Sequence, residues 1–187
     1  YSSGEKKLIT LERYLELMPE EQKYIYYACG ETVAKIDNLP QTEQIKDKGF
    51  SILYMTDEVD EFVVNIIGEI EGKQFKSVDD KDLGIESEED IKETQDKQEE
   101  NKVMLDYLCE SLGGKVSAVR LSHKLKSHPV CLSTDGDVSL GMEKYFATIP
   151  GDHPEIKAQR VLEINPGASL PFVVSRLLYS KPEIIAN

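Results

Sequence analysis

The chain has 187 residues and 21.1 kDa, 40% hydrophobic and 30% charged, enough for one core or two small ones and unlike a disordered or fibrous protein. Its 35 Asp and Glu against 22 Lys and Arg give a formal charge of −13, which argues against nucleic acid or an anionic membrane as partner, since a polyanion is repelled at long range. No apolar run reaches the roughly 18 residues that span a bilayer, and Tyr1-Ser-Ser-Gly4 lacks the basic and apolar regions of a signal peptide, so the expectation is a soluble cytoplasmic protein.

In chain order, Thr10 to Met18 reads as a helix closed by Pro19. Tyr24 to Cys29 and Phe50 to Met55 are short, nearly continuous apolar runs rich in β-formers, the pattern of strands covered on both faces. Between them, Thr32 to Asp37 and Gln41 to Lys48 read as helices interrupted at Pro40 and ended by Gly49. Val59, Phe62, Val63, Ile66, Ile67 and Ile70 recur at helical spacing, so an amphipathic helix is expected from an Asp57 cap to Gly72, followed by a strand from Lys73 to Val78. Strand, helix, strand, helix, strand implies a small parallel α/β sheet over residues 1–78.

Residues 79–100 break the pattern. Glu86 to Glu100 holds eight acids and two lysines, a net charge of −6, and only Ile91 could be buried, so the stretch is expected to be a mobile linker or a solvated helix start between two domains. Over 101–187, Asn101 to Leu112 reads as a helix stopped by Gly113-Gly114. Strands follow at Val116 to Leu121, Val130 to Ser133 and Val161 to Ile164. Thr134 to Asp137 is a turn and Ser139 to Thr148 a short helix. The expected architecture is an α/β domain followed by an α+β domain.

Cys29, Cys109 and Cys131 are odd in number, lack C-x-x-C spacing and sit in apolar stretches, so they read as small core hydrophobes in a reducing compartment. No glycine-rich phosphate loop occurs. His123, His128 and His153 lack zinc-site spacing, and His123 to His128 reads as a solvated basic turn around Lys124-Leu-Lys126. Asp135-Gly-Asp137 lacks the further ligands of a calcium loop. Glu31 and Asp57 follow the first two strands, where α/β ligand sites collect. Each reads as an acid at a helix N-terminus, with a receiver-like phosphotransfer domain accepting phosphate on Asp57 as the rival reading.

Several long strings carry a family resemblance: Tyr1-Ser-Ser, Lys23 to Glu31, Gly49 to Phe62, Phe75-Lys-Ser-Val78, Val119-Arg-Leu-Ser-His-Lys-Leu-Lys-Ser-His-Pro-Val-Cys-Leu-Ser-Thr134 and Val161-Leu-Glu-Ile-Asn-Pro166. In this order, around an acidic variable stretch, they resemble the bacterial heat-shock-90 chaperone family from Tyr1 to about Pro166. The resemblance implies a small three-layer (α/β/α) part of the middle domain, then the first part of the C-terminal dimerisation domain. It implies that the ATP-binding domain and the middle-domain segment with the catalytic arginine precede Tyr1, so this stretch is expected not to hydrolyse ATP, to be no enzyme by itself and to hold no cofactor or metal, ATP and Mg being used by the full-length ATPase. Residues 167–187, with Pro171 and Pro182, depart from the family's long dimer helices, which puts the usual homodimer in doubt.

The implied activity is binding of partly folded client proteins. The family's client-facing positions fall on Phe62 and Asn65 in one helix, and on Val138, Met142, Tyr145 and Phe146 in another. The last four also share a helical stripe by spacing alone, which suits either ordinary core or an adaptable binding face.

Overall fold

The computed structural model describes residues 1–136, 138–149 and 156–168. These group into two compact units: Tyr1–Ile85 with Thr134–Ala158, and Glu86–Ser133 with the residues from Gln159. Asp137 of the expected turn, His153 and most of the divergent tail lie outside the described residues.

The first unit is built on β1 (Ile25–Cys29), which pairs in parallel with both β2 (Ile52–Met55) and β4 (Lys73–Ser77). Alternate β1 side chains point to opposite faces and so enter different clusters. Tyr26 and Ala28 pack with Ile52, Tyr54, Ile36 of α2 (Val33–Asp37) and Ile45 of α3 (Glu43–Asp47). Ile25 and Tyr27 pack with Leu53, Tyr14 of α1 (Leu11–Leu17) and Val64 of α4 (Asp60–Ile67). Burial on both faces is why β1 and β2 lack the alternating pattern of a one-sided sheet. Thr10 and Thr32 start α1 and α2, each accepting a backbone N–H three residues on.

The helix expected to run to Gly72 stops at Ile67. Gly68, at φ 69°, caps it. Glu71 and Gly72 then take φ of 51° and 75°, the positive pair of a tight hairpin turn, so Glu69–Ile70 becomes β3, antiparallel to β4. Asp57 does not cap α4 with its side chain. Val59 holds the cap position, and the Asp57 N–H donates to Asp60 Oδ2 at 3.2 Å.

In the second unit the acidic stretch is a helix, α5 (Glu88–Glu100), with Ser87 as N-cap and no side chain buried. A run of polar residues with a good cap is enough for a solvated helix and contributes little core. Leu105 and Leu108 of α6 (Lys102–Ser111) cover Val119, Leu121, Leu162 and Ile164. These come from β5 (Ala118–Leu121) and β7 (Gln159–Ile164), which pair in parallel within a sheet ordered β5-β7-β6, where β6 is Val130–Asp135.

The basic turn at 123–128 is not solvated throughout. Lys124 is 2% exposed and faces Glu163 of β7, itself 1% exposed. Glu163 accepts from Arg120 at 2.8 Å, Ser122 at 2.6 Å and Ser133 at 2.8 Å, with Lys124 Nζ at 3.5 Å. His123 Nε2 lies 3.3 Å from Glu86 Oε1. The cysteines are free thiols, Cys131 buried and the other two half-buried, in keeping with their reading as small hydrophobes.

Candidate functional site

α7 (Leu140–Thr148) belongs to the first unit. Ser139 is its N-cap: the Oγ accepts from Met142 N–H at 3.0 Å and donates to Glu61 Oε2 of α4 at 2.6 Å. One hydroxyl thus finishes a helix and ties it to its neighbour. Beside it, Phe62 of α4 meets Tyr145 at 5.2 Å and Phe146 at 5.6 Å between ring centroids, and those two stand 5.8 Å apart. The tilted and edge-to-face arrangement is the favourable one for aromatic quadrupoles.

Of the six expected positions, Phe62, Tyr145 and Phe146 come together in this cluster, all half-buried. Met142 is 8% exposed and works as packing under α7 rather than as open surface. Val138 is half-buried just before the N-cap. Asn65 is exposed and faces a cleft of about 400 Å³ that it shares with Tyr27, Glu61, Asp79, Asp80 and Ser139. Sequence reasoning missed Glu61 and Ser139 as a pair, since they are 78 residues apart and nothing local marks an acid that will meet a distant helix cap.

Glu61, Asp79 and Asp80 give the cleft an acidic lining. No group of three or more His, Cys, Asp or Glu able to hold a metal occurs among the described residues. The phosphotransfer alternative gains no support: Asp57 is an exposed turn residue with its N–H on Asp60.

Burial lifts the Glu61 carboxyl above its ordinary range, Ser139 partly offsets this, and Asp80 adds to it. The folded state therefore binds this proton more tightly than the unfolded chain. Its contribution to stability is present below the ordinary carboxylate range, about pH 4.3, and is lost as pH rises through the raised value. Glu61→Gln, which keeps an oxygen for Ser139, is expected to raise the urea midpoint of this unit more at pH 7 than at pH 4. An equal effect at both would show that Glu61 ionises freely.

No helix among the described residues is long and apolar enough to cross a membrane. The chain is 54% identical over 165 residues to the protein named Chaperone protein HtpG of Clostridium acetobutylicum, 51% over 166 to that of Bacillus velezensis, and 48% over 166 to that of Bacillus subtilis. These alignments cover 88–89% of this chain and 26% of each relative, so the chain spans about a quarter of their length. The family model described as Hsp90 protein matches residues 1–180, past Pro166 where the resemblance had been expected to fade. With a match across both units, the chain belongs to the Hsp90 protein family.

Proposed function

We propose that this stretch supplies client-binding surface to a longer, ATP-dependent chaperone, and that the ring cluster Phe62–Tyr145–Phe146 is its contact point. The observation that carries the reading is the cluster itself: three aromatic side chains from two helices, left half-exposed at the surface of a unit. Aromatic side chains give large contact area at low entropic cost, which suits a site that must accept many sequences. Asn65 adds a polar contact beside it, and Val138 and Met142 seat α7.

On this reading the first unit is the three-layer part of the family's middle domain, supported by the two helical clusters that take alternate residues of β1. ATP hydrolysis, Mg binding and homodimerisation are assigned to the full-length protein, working in the cytoplasm.

The test uses reduced, carboxymethylated lysozyme, a permanently unfolded protein, labelled for fluorescence anisotropy. Phe146→Ser is expected to weaken binding about tenfold or more, as at an aromatic hot spot, in a protein that still folds but with a lowered urea midpoint, because the half-buried ring gives up its contacts with Phe62 and Tyr145. Met142→Ser should instead cost about 2–5 kcal/mol of stability because that side chain is buried. Unchanged affinity in a folded Phe146→Ser protein would remove the ring cluster from the binding site.

A further inference from the structure

The apolar positions expected along one face of α4 are not its buried side: Val64 is the buried residue. Val59, Val63, Ile66 and Ile67 are 50%, 47%, 84% and 42% exposed. Their spacing of i, i+4, i+7 and i+8 puts them along one side of the helix. Four branched aliphatic side chains left together in water form a patch of the kind that marks an interaction site.

The segment that carries this patch has one sign of charge, up to Lys73 just beyond it. From Thr56 to Gly72 there are six carboxylates, Asp57, Glu58, Asp60, Glu61, Glu69 and Glu71, and no lysine, arginine or histidine. Among the described residues none of the six forms an ion pair with a basic side chain. Asp57 and Glu58 precede α4, where acids favour a helix, but Glu69 and Glu71 follow its C-terminal end, where they oppose the helix dipole. Helix stability therefore does not account for the second pair. Both ends of an apolar stripe carry open negative charge.

We propose that this face of α4 binds unfolded polypeptide segments in which a few apolar residues are bracketed by lysine or arginine. The inference rests on the reading above that this unit binds client protein, and it names which segments are preferred. Val59 to Ile67 spans about 12 Å at helical rise, a length that about four residues of extended chain would cover. The favoured sequence thus has about four apolar residues between two cations. An anionic membrane is repelled by these carboxylates, and so is a second copy presenting the same acids.

The experiment uses the whole chain and two fluorescein-labelled peptides with the same Val-Leu-Phe-Leu centre, one flanked by lysine pairs and one by glutamate pairs. The lysine-flanked peptide is expected to bind about tenfold tighter at low salt, as a few exposed charge pairs allow, and the gap should narrow in 0.5 M salt, where the Debye length falls to about 4 Å. Val63→Ser with Ile66→Ser should weaken it about tenfold with an unchanged melting temperature, because both side chains are exposed. Glu58→Lys with Glu69→Lys should narrow the gap between the two peptides, since it removes one acid from each end of the stripe. Equal affinities, or surface variants without effect, would overturn the proposal, as would self-association in sedimentation that Val63→Ser with Ile66→Ser abolishes, since a second copy would then be the occupant. If Phe146→Ser loses unfolded lysozyme while the peptides are not discriminated, client binding stands and this preference falls. If the peptides are discriminated and Phe146→Ser changes nothing, α4 stands and the ring cluster falls.

Discussion

Glu163→Ala is expected to destabilise the second unit by about 3–5 kcal/mol, because it leaves Lys124 and Arg120 facing a hole where their counter-charge was. Burial by itself would push the Glu163 carboxyl up. Lys124, Ser122 and Arg120 outweigh it and hold the group down to about 2. The contribution to stability is therefore present above the unfolded carboxylate value of about 4.3 and is lost as pH falls from there towards 2. Hydrogen exchange at β5 and β7 amides reads this unit alone: the wild type should lose protection through that window, and Glu163→Gln should be weak at pH 7 with little further loss below pH 4. Pairing Glu163→Leu with Lys124→Met should recover only the share due to Lys124, since Arg120, Ser122 and Ser133 still lose Glu163 as acceptor. Full protection of Glu163→Gln at pH 7 would mean that the ionic cluster carries no stability.

That cluster also shows where sequence reading stops. Lys124 sits in Lys-Leu-Lys between two histidines, a local pattern of a wet basic turn, and its partner lies on a strand far along the chain. No local signal distinguishes a lysine that will be buried against a distant carboxylate from one that stays in water. The strands Ile25–Cys29 and Ile52–Met55 were legible because burial on both faces makes the whole run apolar. The helices after Thr10, Thr32 and Ser139 were legible from spacing and from residues that can accept a backbone N–H. Helical periodicity over Val59 to Ile70 found α4 but could not say which way it faces. It picked out a stripe whose aliphatic members are largely exposed and passed over Val64, the residue the sheet covers. At the candidate site, family resemblance supplied Phe62, Tyr145 and Phe146 as separate positions. Their meeting in one cluster, and the Glu61–Ser139 tie beside it, depend on tertiary placement of two helices.

Tyr26→Ala is expected to cost about 3–5 kcal/mol, the range for emptying a large aromatic site, and to unfold the first unit under mild denaturant. The ring is fully buried on an inner strand of the sheet, stacked on Phe50 at 6.2 Å and edge-on to Tyr24 at 6.3 Å, and its hydroxyl donates to the Leu83 carbonyl at 2.7 Å. Tyr26→Phe separates the two parts of this role. It keeps the packing and gives up one hydrogen bond, so about 0.5–1.5 kcal/mol should be lost. The consequence for binding follows from β1 itself: Tyr26 fills one face while Ile25 and Tyr27 pack with Val64 on the other, so loss of the strand releases α4 and everything α4 presents. Tyr26→Ala should therefore lose unfolded lysozyme and lysine-flanked peptide together with its urea transition, whereas Phe146→Ser loses lysozyme binding while a cooperative urea transition remains. A Tyr26→Ala protein that binds normally and unfolds within about 1 kcal/mol of wild type, against the roughly 3–5 kcal/mol expected for emptying a large aromatic site, would show that α4 is held by contacts other than this strand.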